Sequence, residues 1–204
     1  MSNGDKSERW PRGYAGIEHE TIGSDIVSVL KALECVFPGE PLAGLPERIL
    51  GPKTVRELAT ISPNGWYPIA QLLDVLELAH RKVGDAGLRR IGRKLFQLSH
   101  KERARPAIKS ARDVCNAIDK MYRHANRGSQ IGGWRVLRFE SGFAELEKTT
   151  PHLCFLEEGI LTEALTTVMG GPHVLVSQTA CFRSGAETCT FVVHSPVTDS
   201  RWTG

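Results

Sequence analysis

The chain has 204 residues, 41% hydrophobic and 24% charged, with a net charge of +3. That length and balance suit one soluble globular domain with a core of its own, and they exclude a disordered or fibrous chain. No apolar run reaches the roughly 18 to 20 residues of a membrane span, and no basic stripe interleaved with aromatics marks a nucleic-acid surface.

Residues 1–21 are polar, carry Gly and Pro, and read as a tail or arm. The single domain is expected over 22–195, helical over 22–131 and sheet-forming over 132–195. Ser24 is placed to cap a first amphipathic helix through Ile26, Val27, Leu30, Leu33 and Val36, which Pro38 and Gly39 stop. A short helix starts at Thr54. Trp66-Tyr67-Pro68 leads into a helix through Ile69, Leu72, Leu73, Leu76 and Ala79, with the proline in its first turn. Further helices are expected over 88–98 and 107–122. The basic run over 89–109 reads as a solvated face.

At Gly132-Gly133 the apolar period changes from helical to alternating. Strands over 134–139 and 143–148 flank a Glu140-Ser141-Gly142 turn, a helix runs from Phe155 to Val168, and strands over 173–182 and 188–193 close the chain. The expected class is α+β, with an antiparallel sheet of about four strands (hairpin, helix, hairpin) packed on the N-terminal helices. Residues 196–204 read as a C-terminal tail.

Five cysteines without compact scaffold spacing, and an N-terminus without an apolar signal core, fit a reducing cytoplasm. Cys35 and Cys115 lie on apolar helix faces as core residues. Cys181 and Cys189 face each other across the closing hairpin, near enough to share a metal ion or form a disulfide, and Cys154 at a helix start offers a third thiolate. Thiolates are soft ligands that suit zinc. His80, His100 and His124 sit near helix C-termini, where a partly charged imidazole is favourable. Glu157 and Glu158 read as first-turn helix charge. Nothing forms a Ser-His-Asp set, and no glycine-rich loop joins a strand to a helix.

Residues 132–195 resemble the 4-vinyl-reductase-like domain found in the sensory modules of phenol- and xylene-responsive bacterial activators. The likeness runs through Trp134, Pro151-His152-Leu153-Cys154, Gly159, Gln178-Thr179-Ala180-Cys181, Cys189 and Phe191. It implies a structural zinc on Cys154, Cys181 and Cys189, with Gln178 where the family has a glutamate. It implies an apolar pocket between the sheet and the helices; the change of period at Gly132-Gly133 puts Trp134 on its wall, with at least one of Tyr122, Phe139 and Phe155 nearby. It also implies a homodimer, an aromatic or lipid-like ligand, and a downstream effector protein or domain. The family's phenol-binding histidine has no counterpart here. The expected function is a non-catalytic sensor; the alternative is a reductase-associated or thiol-redox protein using Cys181 and Cys189. A heme-based gas sensor is disfavoured because Tyr122-Arg123-His124-Ala125-Asn126-Arg127 lacks the serine of the tyrosine-serine-arginine motif.

Overall fold

A computed structural model describes residues 18–36, 45–100 and 108–204. Its helices and two antiparallel sheets make the expected α+β protein. In chain order the elements are β1 (Glu20–Ile22), α1 (Gly23–Val36), α2 (Leu45–Leu50), α3 (Pro52–Ala59), β2 (Trp66–Pro68), α4 (Ile69–Leu95) and a π-helical turn (Phe96–His100). Then come α5 (Ala111–Ala125), β3 (Asn126–Arg127), β4 (Trp134–Glu140), β5 (Phe143–Lys148), α6 (Cys154–Met169), β6 (Leu175–Ala180), β7 (Cys189–His194) and α7 (Ser200–Thr203).

The sequence period sets the larger sheet, ordered β4-β5-β7-β6. Along β5 the inward positions are Ala144, Leu146 and Lys148, strictly every second residue. The pairing register puts Trp134 opposite Lys148, and Lys148 opposite Cys189, so these three form one row across three strands. Helix α6 lies between this sheet and α4. Sandwiched in this way, it buries residues round most of its circumference, the first-turn Glu157 and Glu158 included. The stop at Gly170 is a left-handed C-cap (φ 71°), the conformation glycine adopts without penalty.

Helices α4 and α6 meet at two glycines. A Cβ on Gly92 would overlap the Leu156 carbonyl oxygen, and one on Gly159 would overlap that of Arg89. Each glycine thus faces the carbonyl three residues before the other, and the backbones touch. On one side of this seam Leu72, Leu76, Leu88, Ile91 and Leu156 pack against α1; on the other, Leu161, Leu165, Phe191 and Trp134 fill the space under the sheet. Helix α5 covers the rest of that face and starts from a capping box, Ser110 Oγ accepting from Asp113 N–H and the Asp113 carboxylate from Ser110 N–H.

Several local expectations shift. The two helices expected over 69–79 and 88–98 are merged into α4, whose direction breaks at Gly84 (φ 66°). Trp66–Pro68 is not a helical lead-in but a strand of the small sheet β2-β1-β3. Residues 20 and 21, read as the end of an arm, belong to β1 (Glu20–Ile22), the central strand of that sheet. The 196–204 stretch folds back: Trp202 is fully buried, stacks on Phe139 with ring centroids 5.1 Å apart, and donates Nε1–H to the Glu140 carbonyl at 2.7 Å. Residues 1–17, the Pro38-Gly39 stop, the start of the 107–122 helix and the side chains of Cys35, Val36 and His100 lie outside the described residues.

Candidate functional site

Two neighbouring clusters lie around the start of α6. The first is a cavity of about 60 Å³ lined by Asp25, Ile118, Met121, Tyr122, Ala125, Asn126, Trp134, His152, Glu157 and Ile160. Five elements converge there: the first turn of α1, the last turns of α5, β3, the start of β4 and the turn into α6. Tyr122 donates its hydroxyl proton to the Ile131 carbonyl, and the Trp134 backbone N–H donates to Asp119 Oδ1 at 2.8 Å, fixing both aromatic walls. Asn126, at the end of α5, donates Nδ2–H to the Tyr122 carbonyl at 2.9 Å. Its Oδ1 is buried and has no protein partner.

His152 is also buried. Its Nδ1 lies 2.9 Å from Glu157 Oε1, its ring stands edge-on to Tyr122 with centroids 5.6 Å apart, and its Nε2 has no protein partner. In the tautomer that donates Nδ1–H to the Glu157 carboxylate, the ring presents a lone pair at Nε2.

The second cluster is sulfur. Cys154 Sγ lies 3.3 Å from Cys189 Sγ and 3.8 Å from Cys181 Sγ, and all three sulfurs fall within 4.8 Å of one another. Lys148 is fully buried, donates Nζ–H to the His152 carbonyl, and reaches Cys154 Sγ at 3.4 Å. A buried ammonium needs a partner, and the thiolate supplies one. The hydrogen bond with Cys189, with the Lys148 charge and further contacts from Lys148 and Cys181, holds the Cys154 thiol down at about 5 against the opposing effect of burial. Cys189 is pushed the other way by the same contact and by burial, which disfavours its charge.

The expected site residues separate. Trp134 and Tyr122 line the cavity, whereas Phe139 stacks on Trp202, and Phe155 lies under Arg89 with the guanidinium 4.5 Å from its ring centre. Gln178 joins Phe155 and Cys181 along an open groove and spends its amide on the Ala180 carbonyl at 2.9 Å. Cys181 does not pair across the hairpin with Cys189. The ladder ends at Ala180–Thr190, and Cys181 starts the 3₁₀ turn Phe182–Ser184, from which its sulfur reaches Cys154. Sequence reasoning missed Lys148, Asn126 and the role of Glu157. The signal for Lys148 was present, a lysine at the third inward position of an alternating strand; Asn126 gave none.

No family model matches the chain, and no curated protein matches it. Solved structures similar in shape include H-NOX proteins. An H-NOX protein from S. oneidensis in the Fe(II)NO ligation state aligns at 13% identity and TM-score 0.60, covering 85% of this chain and 99% of that one. An unliganded Fe(II) H-NOX mutant from K. algicida aligns at 10% and 0.63, covering 86% and 97%. A T. tengcongensis H-NOX mutant gives 10% and 0.61, covering 87% and 98%. The class defined is an α+β domain of two antiparallel sheets around a central helix. Its particular form is the H-NOX fold.

That match corrects two expectations. The resemblance to the 4-vinyl-reductase-like domain, carried by short motifs over about a third of the chain, gives way to a fold agreement over nearly all of it. Zinc as the cofactor falls with it, since the neighbouring structures are described by iron ligation states and, in one case, by heme redox potential. The motif carriers have local roles that explain why they misled: Gly159 permits the helix crossing, and Trp134 opens a strand over the core. Among the described residues no helix is long and apolar enough to cross a membrane.

Proposed function

We propose that this chain is a non-catalytic sensor domain on the H-NOX fold, with its small-molecule ligand held in the cavity beside Trp134, Tyr122 and His152. The observation that carries the reading is a pair of buried polar atoms without protein partners, on side chains lining one cavity of a fold whose solved examples hold ligands. Buried polar groups are ordinarily satisfied, and exceptions mark sites.

Heme, the group of the neighbouring structures, does not fit these residues. Pockets for ligands of drug size run to roughly 300–1,000 Å³, and a porphyrin needs space of that order; this cavity has about 60 Å³. Backbone contact at Gly92 and Gly159 closes α4 on α6, so among the described residues these two helices leave no slot between them for a macrocycle. Native mass spectrometry and an absorption spectrum of the purified protein test the reading. The expected result is a retained small mass, or a free cavity that takes a small ligand, with no Soret band. One heme per chain would overturn it.

A second reading, a thiol-redox response, is favoured by the contact of Cys154 with Cys189 beside Lys148. Oxidation by a hydroperoxide would join Cys154 and Cys189 as a disulfide, the oxidant's O–O bond breaking to give an alcohol (or water) and one water that together carry off the two thiol protons. Mass analysis under alkylation, with and without peroxide, should show the loss of two hydrogens at this pair. Thiols that stay unreactive to peroxide, or that hold a stoichiometric metal, would refute it.

A further inference from the structure

The cavity's chemistry narrows what it takes. Asn126 cannot turn its amide over, because that would set its oxygen against the Tyr122 carbonyl that Nδ2–H now meets. Its unpartnered atom is therefore an acceptor. His152 likewise, in the tautomer that donates Nδ1–H to Glu157, presents an acceptor at Nε2. Two acceptors line one cavity, and its charged lining groups among the described residues are the carboxylates of Asp25 and Glu157, with no Lys or Arg among them. An anion would meet acceptors and carboxylates there rather than donors. A purely apolar ligand would leave both acceptors unpaired, at a desolvation cost for each. The half-buried Asp25, Met121 and Ile160 form the more accessible side, by which a ligand would enter. Trp134 and Tyr122 add aromatic walls, which suit a cation.

Size completes the description. A water needs only about 10–15 Å³ of such volume, while a cavity of about 150 Å³ admits benzene; about 60 Å³ lies between them.

We propose that this cavity is a binding site for a small protonated amine, an ammonium group carrying at most one or two carbons, held by Asn126 Oδ1 and His152 Nε2 beside Trp134 and Tyr122. The proposal rests on the sensor reading above and adds the ligand class. It is a feature of this chain's own side chains, not of the heme chemistry of the neighbouring structures.

The test titrates the full chain with methylammonium chloride, followed by amide NMR shifts and by thermal melting. Tetramethylammonium, equal in charge but too large and without N–H groups, and sodium chloride at matched ionic strength are the controls. Saturable shifts confined to residues around Asn126, Trp134 and His152, with a rise in melting temperature for methylammonium alone, are expected. Asn126→Leu should weaken binding by roughly tenfold or more, as loss of one buried hydrogen bond to a charged group predicts. Because Asn126→Leu also removes the bond to the Tyr122 carbonyl, Ile160→Phe serves as a second variant. It fills the cavity, leaves both acceptors in place, and should abolish the methylammonium response while the chain keeps its fold by circular dichroism. Equal responses to all three salts, or undiminished binding in Ile160→Phe, would overturn the inference, as would a crystal structure in methylammonium with ordered water alone between Asn126 and His152. The sensor reading is judged separately by the mass retained on the purified protein, so a different retained ligand would sink the amine and leave the sensor standing.

Discussion

Replacing Gly159 by alanine should destabilise the protein by about 2 kcal/mol, although alanine is the better helix former. A Cβ there would overlap the Arg89 carbonyl oxygen and lie 2.9 and 3.0 Å from the Arg89 carbonyl carbon and Cα, where ordinary contact begins near 3.4 Å. The obstacle is backbone, which no rotamer change relieves, so α4 and α6 must part by roughly an ångström. A radial gap of roughly 0.5–1 Å forfeits a quarter to a half of each dispersion contact it opens, and Leu88, Ile91 and Leu156 all pack near this seam. Overpacking of this kind costs about 1–3 kcal/mol, and a backbone clash belongs at the upper end. Helix propensity returns up to about 1 kcal/mol. Urea unfolding followed by circular dichroism reads the difference, a drop in midpoint of roughly 1 M at a slope near 2 kcal/mol/M. Gly92→Ala should behave alike. The double variant should cost clearly less than the sum, because helices already parted by one methyl accommodate the second. Thr167→Ala, on the exposed face of α6, should change little. If Gly159→Ala melts at or above the wild-type midpoint with an unchanged slope, the backbone-contact account of this crossing is wrong.

Cys154→Ala leaves the Lys148 ammonium buried without its thiolate and should cost about 3 kcal/mol, much of which Lys148→Met in the same chain should restore; a double variant no more stable than the single one would refute the pairing. The Cys154 thiol, held at about 5, should give one thiolate absorbance step as pH rises through that value, absent in Cys154→Ser, whereas Cys115, pushed up to about 12 by burial, stays protonated. The sign for stability follows: a depressed thiol contributes fully above its ordinary value of 9.0 and loses that contribution as pH falls from there to about 5, so the variant should show a flatter pH dependence over that window. Trp202→Ala should lower stability by roughly 3–5 kcal/mol, since it empties a fully buried indole site and frees the Glu140 carbonyl; a near-neutral result by denaturant melting would return 196–204 to the status of a tail.

Periodicity carried most of the fold. The change at Gly132-Gly133 marked the step from helices to sheet, and β4, β5 and α6 lie within one or two residues of where alternation and the 3.6-residue stripe placed them. What it did not carry was long-range. Nothing local distinguishes Trp66–Pro68 as a strand, because a three-residue strand exists only through its partners at 20–22. Trp202 looked like a tail residue because its burial depends on Phe139 and Glu140, some 60 positions earlier. The sulfur cluster was legible as three cysteines drawn together, but the route to it was not: Cys181 reaches Cys154 from a 3₁₀ turn and not from a hairpin pair.

The two clusters at the start of α6 are mechanically one device. Lys148 joins them, its Nζ bonded both to Cys154 Sγ and to the carbonyl of His152, whose ring faces Glu157. A change in either cluster therefore bears on the same turn, 148–154, between β5 and α6. Loss of the Cys154 thiolate, by protonation or by oxidation, removes the partner of the Lys148 charge and leaves that ammonium to the His152 carbonyl alone. Occupancy of His152 Nε2, in turn, fixes the ring and the backbone that carries this carbonyl. Coupling of this kind is reciprocal: if methylammonium binds more tightly when Cys154 is ionised, then binding must lower the Cys154 titration point by the matching amount. Measuring that titration point with and without the amine tests the link directly, and an unchanged value would show two sites that share a turn without sharing free energy.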